Sequence, residues 1–528
     1  MVIRRKRVYV AVLVGALSLL LYGTPLLAST PADTLVVGTL QEISLVDPSI
    51  DYSFTGGPIF PAAYERLVTF NSHTGKVEPE LAVSWDISED GTVYTFNVRQ
   101  GVQFHDGSAL NAESVKIAFD RTMKINRGPA WMLRDYVKEV AVVSPYVVQI
   151  TLKAPFGPFL KVLTSSWGMS IMSPKALADH EEAGDLAQGW FHDNMCGTGP
   201  YKLVSWTKGQ QMVFEKFDAY WRGWDGNHVD RVIVRVVPDP TTLVMMLRNA
   251  DIDIASYGLV SELGPSLEGA PHLVTESYET YTTEAAFMNT TRAPLDDVRV
   301  RRAMSYSFPY EGALQAYGGY AERLIGQLPP SLPGFDPNSQ VYHQDLALAK
   351  KLLTEAGINE GSLALECTWV TEQPTGGRIA ELWQQDLATI GVTLKLTEVN
   401  AAGGWLRISS PETTADFTIT RWGVDYPDAL SNLLPLYKSD LTPDKGGYNI
   451  GRYSNPYVDQ LLIQASQEAN VEKAVLLEQE VQRYITDDAP SIFIVAVPQL
   501  VCYQDTVKGF VYDPGYFSSF NLYNMYKE

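Results

Sequence analysis

Short runs in which apolar and polar residues alternate mark strands along the first half of the chain. From Tyr94 to Arg99, Tyr94, Phe96 and Val98 point one way and Thr95, Asn97 and Arg99 the other, between the turns Ser88–Gly91 and Gln100–Gly101. Thr34–Thr39, Val147–Leu152, Tyr201–Trp206, Met212–Lys216 and Val232–Val237 read as further strands. Helix starts fall at Asn111, a cap with Glu113 in the first turn, and at Asp239, whose helix runs through Leu247. A Gly-rich turn, Ser53–Pro58, leads into a helix from about Ile59 to Leu67. In the second half the period lengthens. Leu346, Ala349, Leu352, Leu353 and Ala356 share a helical face that Gly357 ends, and Ile379, Leu382, Trp383, Leu387 and Ile390 share another that Gly391 ends. The strand Val392–Val399, a helix carrying Ala474, Leu477, Val481, Tyr484 and Ile485, and the strand Ile492–Val497 follow. Helices alternating with strands in this way predict an α/β lobe with a mixed sheet.

The N-terminus departs from this pattern. Arg4, Arg5, Lys6 and Arg7 precede an uncharged, largely apolar run of 14 residues from Val8 to Leu21, then Pro25-Leu26-Leu27-Ala28. A span of ~30 Å of hydrocarbon needs about 20 residues, so residues 1–29 read as a secretory signal peptide cleaved after Ala28 or Ser29. With no Cys near that point, a lipid anchor is not expected, and the mature chain is expected in the periplasm. Loss of four basic and no acidic residues takes the formal net charge from -20 to -24. Such a chain repels phosphates, which argues against a nucleic-acid partner.

About 500 mature residues suffice for two or three domains. Three cysteines, Cys196, Cys367 and Cys502, are too few for a disulfide scaffold. Export allows a Cys196–Cys502 bridge or, equally, three buried thiols.

Candidate chemistry is sparse. The seven His are scattered, and neither HExxH nor GxSxG occurs. His105-Asp106-Gly107 is either an acid/base pair or a polar turn after a strand. Cys196-Gly197-Thr198-Gly199 lacks the Lys-Ser/Thr and the helix of a phosphate loop. Neither a catalytic residue nor a metal ligand emerges, so an exported hydrolase has no support in the residues. Aromatic residues are plentiful: 11 Trp, 28 Tyr and 19 Phe. Thr418–Asp428 concentrates them, because a β-branched strand ends there in Arg421-Trp422-Gly423-Val424-Asp425-Tyr426-Pro427-Asp428. Aromatics around a carboxylate at a strand end suit a ligand wall, or equally a core Trp beside a turn Asp.

Several segments resemble the family 5 extracellular solute-binding proteins, the peptide, dipeptide and nickel receptors of ABC importers. They are Glu78–Trp85, Ser88–Phe96, Gly101–Gly107, Gly197–Tyr201, Pro294–Ala303 and Trp422–Asp428, in the family's order over nearly the whole mature chain. The resemblance implies a periplasmic binding protein-like bilobal fold, α/β in class: two lobes with mixed sheets, joined by a two-strand hinge, with an extra subdomain in the first lobe. Lobe I would span 30–288, with the subdomain at about 70–194; lobe II would span 289–498, and 499–528 would return to lobe I. The lobes would close over a solute and present it to a membrane permease, the protein acting as a monomer without cofactor.

By the same resemblance, Asp425 would hold a peptide's α-amino group, and Trp422, Trp405 and Tyr426 would wall the side-chain pockets. Thr55, Gly56 and Gly57 would approach the ligand from the first lobe. Tyr281 and Thr282 would lie on the strand that pairs with peptide backbone. Arg421 stands where members often carry a small residue, as a carboxylate partner for the ligand or for a second-lobe acid. Arg378 is a candidate for a peptide C-terminus or a surface Arg at a helix start. A peptide is the expected solute; an oligosaccharide stacked on the aromatic walls is the alternative.

Overall fold

Two large mixed sheets carry the chain, each assembled from strands far apart in sequence. The computed structural model describes residues 30–53, 55–255, 264–514 and 521–528, so the segment read as a signal peptide lies outside the described residues. The first sheet has seven strands in the order Leu273–Tyr278, Gln499–Gln504, Ile254–Ala255, Thr34–Thr39, Arg231–Val236, Gln211–Lys216 and Tyr201–Thr207. Thr34–Thr39 is buried at all six positions and pairs in parallel with strands on both sides. The second sheet has six, in the order Glu322–Arg323, Ser491–Ala496, Thr283–Met288, Phe417–Trp422, Leu363–Val370 and Val392–Val399. Apolar clusters cover both faces of each sheet, which is why Thr34–Thr39 and Thr283–Met288 are buried at every position.

A separate four-stranded antiparallel sheet, Ala82–Ile87, Val93–Val98, Val147–Leu152 and Val137–Ser144, forms the extra subdomain with the helix Ala112–Ile125. Tyr94, Phe96 and Val98 point into its core as their alternation requires. Asn111 caps the helix by accepting from the Ser114 N–H at 3.0 Å. In the second lobe Leu346–Glu355 and Pro374–Thr389 both precede a glycine at positive φ, Gly357 at 81° and Gly391 at 78°.

The chain crosses between the two large sheets twice. Glu279–Thr282 links Tyr278 to Thr283, and Val497-Pro498 links Ala496 to Gln499. The crossings hold each other: the Val497 N–H donates to the Thr282 carbonyl at 2.8 Å, and the Thr280 hydroxyl donates to the Val497 carbonyl at 2.6 Å. This is the two-strand hinge of a bilobal fold.

One expectation needs correction, and two readings left open by the sequence are decided. The helix expected over Ile59–Leu67 is a 3-10 turn, Gly57–Ile59, followed by one helical turn, Phe60–Ala63. Tyr64 is extended, and Glu65 and Arg66 turn into a buried network with Thr198, Trp221 and Glu80 that a longer helix would dismantle. The Cys196–Cys502 bridge is absent: all three thiols are free and buried, Cys196 and Cys502 in different clusters. His105 and Asp106 do not form an acid/base pair. Burial pulls the His105 imidazole down to about 4, and its Nε2 meets the Gly199 carbonyl at 2.9 Å, while Asp106 accepts from Ser108 and Ser173. Gly197 and Gly199 pack on the Ala63 backbone, where an added Cβ at Gly197 would come within 2.1 Å of a carbonyl oxygen.

Candidate functional site

The strand Phe417–Trp422 lies between Thr283–Met288 and Leu363–Val370, and its last pair is Trp422 opposite Thr283. Beyond it the chain turns sharply into the helix Leu430–Tyr437. Ser431, fully buried, fixes the turn: its hydroxyl accepts from the Asp425 N–H at 2.7 Å and from the Tyr426 N–H at 3.3 Å. Asp425 is thereby held on the rim of the second lobe and aimed at the first.

Tyr52, of the first lobe, meets it there. The Tyr52 hydroxyl donates to Asp425 Oδ1 at 2.5 Å and accepts from the Trp131 indole N–H at 3.3 Å. Oδ2 of Asp425 is buried and has no hydrogen-bond partner among the described residues. Burial pushes the Asp425 carboxyl up to about 7, against the opposing pull of the Tyr52 hydrogen bond. When ionised, a buried carboxyl with one unpartnered oxygen beside aromatic rings can accept a charge-assisted hydrogen bond.

The glycine loop acts one step behind this contact. An added Cβ at Gly57 would lie 3.1 Å from the Trp167 ring, and one at Gly56 would lie 2.1 Å from Asp51 Oδ2. Trp167 in turn packs edge-on against Tyr52, centroids 5.6 Å apart, and donates to the Ser53 carbonyl at 3.2 Å. Thr55 shares a hydroxyl contact with Ser53 at 3.0 Å. Thr55, Gly56 and Gly57 thus shape the seat of Tyr52.

Aromatic rings line the second-lobe side. Tyr448 links the expected walls, with its centroid 5.2 Å from Trp422 and 5.4 Å from Trp405. Trp405 sits half exposed on the helix Ala401–Ile408, which Asn400 caps. Tyr426 is buried within the first lobe's apolar cluster, so the turn after Asp425 plugs into the opposite lobe. A cavity of about 400 Å³ lies between the lobes, lined by Trp131, Tyr136 and Phe156 from one side and Tyr426, Tyr448 and Ile463 from the other.

The remaining expected residues lie elsewhere. Arg421 points to the other face of its strand, where its Nη2 donates to the Tyr317 hydroxyl at 3.0 Å; Tyr317 donates in turn to the fully buried Glu284. Burial raises the Glu284 carboxyl and the Arg421 charge counters it, which makes Arg421 the partner of a second-lobe acid. Arg378 is exposed near the start of Pro374–Thr389, where it donates to the Thr375 hydroxyl at 3.2 Å. Tyr281 is buried in a second-lobe cluster, and the Thr282 carbonyl is taken by Val497 across the hinge. Among the described residues, no cluster of three or more His, Cys, Asp or Glu could hold a metal, and no helix is long and apolar enough to cross a membrane.

Tyr52, Trp131 and Tyr448 are missing from the sequence-based expectations. Each sits in or beside an aperiodic loop, and only the approach of the two lobes gives it a role.

The profile of the bacterial extracellular solute-binding proteins, family 5 (middle), matches residues 76–443. The probable D,D-dipeptide-binding periplasmic protein DdpA of Escherichia coli is 29% identical over 509 residues, 95% of each chain. The glutathione-binding protein GsiB of Pectobacterium atrosepticum is 30% identical over 504 residues, 94% of each. Among solved structures, the periplasmic binding protein DppA of Helicobacter pylori, in complex with the peptide STSA, superposes with a TM-score of 0.81 at 25% identity, covering 94% of this chain and 98% of that one. The chain belongs to the family 5 bacterial extracellular solute-binding proteins.

Proposed function

We propose that this protein is the extracytoplasmic receptor of an ABC importer for peptides, which it captures between its lobes through the ligand's ammonium group and hands to a membrane permease. One observation carries the reading. Asp425 is a buried carboxyl, bonded through one oxygen to the opposite lobe and unpartnered at the other among the described residues, in a cleft walled by aromatic rings. A free amino terminus supplies both the charge and the N–H donor that this oxygen lacks. The aromatic cavity beside it, about 400 Å³, would accept side chains of varied shape without demanding one. Relatives that bind dipeptides, glutathione or a tetrapeptide support the same class of solute. Export through residues 1–29 and action as a monomer belong to this proposal.

Calorimetry with short peptides carrying a free or an acetylated N-terminus tests it. Binding of the free form alone supports the amine anchor. Equal binding of both, or a melting-temperature rise with oligosaccharides only, overturns it.

A further inference from the structure

Asp425 Oδ2 has a counterpart. Nε1 of Trp422 is also buried and without a hydrogen-bond partner among the described residues. The two residues lie three positions apart at the same strand end, and Tyr448 is common to their surroundings: its ring packs on Trp422, and burial and then the Asp425 charge push its hydroxyl up. When Asp425 is ionised its orphan oxygen can only accept, and the indole N–H can only donate. Each loses its full hydration when the cleft closes unless a partner arrives. The acceptor is a single oxygen, because Tyr52 occupies Oδ1.

Resting on the amine reading above, we propose that Trp422 is a hydrogen-bonding specificity residue: its indole N–H donates to the carbonyl oxygen adjoining the ammonium that Asp425 receives. The pair then recognises an α-aminoacyl head, an ammonium and a carbonyl joined through one carbon, and leaves the side chain to the aromatic cavity. A quaternary ammonium lacks the N–H that Oδ2 needs, and a simple alkylamine lacks the acceptor that Trp422 needs. Both classes are therefore poor ligands, despite the aromatic lining that would otherwise favour cations.

The test crosses a protein change with a ligand change, measured by calorimetry on the full mature chain. The probes are the dipeptide Ala-Phe and its trans-alkene isostere, which keeps the ammonium and the shape but has no carbonyl. The expected result is that the wild-type protein prefers the dipeptide ten-fold or more, whereas Trp422→Phe binds the two alike. Because Phe also shrinks the ring, the same measurement is made with Trp422 replaced by benzothienylalanine, which keeps the bicycle and lacks only the N–H; loss of the preference is expected again. A preference that survives both replacements, or a wild-type protein that holds the two probes equally, overturns the role of Trp422 and leaves the amine reading standing. A wild-type protein that binds neither these probes nor di-, tri- and tetra-alanine overturns the amine reading and this inference together.

Discussion

Lys161 Nζ lies 2.7 Å from Oδ2 of Asp428, an ion pair that joins the extra subdomain to the second lobe three residues beyond Asp425. Asp428 is nearly buried, Lys161 a quarter exposed, and Glu478 stands behind Asp428 with its carboxyl pushed up to about 8, by burial first and by Asp428 second. The Gly157 N–H donates across the same seam to the Ser466 carbonyl at 2.8 Å. Lys161 therefore neutralises a crowded acidic pair only while the lobes are closed. Lys161→Met is expected to speed ligand release about ten-fold, a loss of ~1–2 kcal/mol once the partial exposure of Lys161 is discounted. Most of that effect is expected in the off-rate, and adding Asp428→Asn should recover part of it. Stopped-flow release kinetics check this, and an unchanged off-rate would remove the pair from the closing mechanism.

The carboxyl of Asp425, held near 7 by burial, makes affinity depend on pH. Below that value the empty protein carries a proton that an incoming ammonium must displace. Affinity for a free-amine peptide should rise as pH rises from 5 to about 7, by at most ten-fold per unit, and flatten until the ligand's own amine deprotonates near ~8. The folded value lies above the ordinary 3.8. Stability is therefore fully present at low pH and is lost as pH rises toward 7, because the ionised form is unfavourable in the closed protein. Asp425→Asn should abolish the pH dependence and lower affinity by about 2–5 kcal/mol. It should also raise the melting temperature of the empty protein above pH 7. Calorimetry across pH and thermal unfolding give both halves, and a flat wild-type affinity profile from pH 5 to 7 would exclude Asp425 as the anchor.

Tyr52 gives the Asp425 carboxyl its one hydrogen bond among the described residues, which favours the ionised form. Tyr52→Phe should move the midpoint of that pH profile upward while leaving the ring's packing against Trp167 in place. A midpoint that stays put would mean that the hydroxyl contact does not set the carboxyl's state.

Much of the scaffold could be read locally. The two-residue period before Arg99 and the glycines after Ala356 and Ile390 express constraints that act within one element, and the structure honours them. Asp425 was legible for a similar reason, because a strand rich in β-branched residues must end where Gly, Pro and two acids follow. That reasoning reaches the turn alone; the role of Asp425 toward an amine comes from the family resemblance, and its partner across the cleft was not legible. Tyr52 stands 373 positions away in a loop without periodicity, and Trp131 and Tyr448 reach the cleft only through the relative placement of the lobes. The glycines at 56 and 57 signalled a close approach, but the groups that approach are Asp51 at Gly56 and Trp167 at Gly57, which local sequence cannot reveal. Arg421 presented two readings that differ only in which face of the strand it occupies, and register with Glu284 decided between them.

The buried thiols provide a separate check on the first lobe and the hinge return. Burial pushes the Cys196 thiol up to about 12 and raises those of Cys367 and Cys502 as well, so none is a ready nucleophile at neutral pH. The native protein should react slowly with a thiol reagent and release three equivalents on denaturation without reductant. Its melting temperature should not change with reductant. One equivalent in place of three would restore a disulfide.

Arg421 offers the sharpest separation of scaffold from site. It faces Glu284 through the Tyr317 hydroxyl, with Glu284 fully buried and one of its oxygens without a hydrogen-bond partner among the described residues. Arg421→Met removes the charge that counters this carboxylate and should destabilise the protein by about 3 kcal/mol, as for other buried charges left without a partner. Glu284→Gln in the same chain should return much of the loss, because the remaining group is then neutral. Peptide affinity, measured below the melting transition, should change little in either variant. If Arg421→Met instead leaves stability intact and abolishes binding, the guanidinium serves the ligand's carboxylate rather than Glu284.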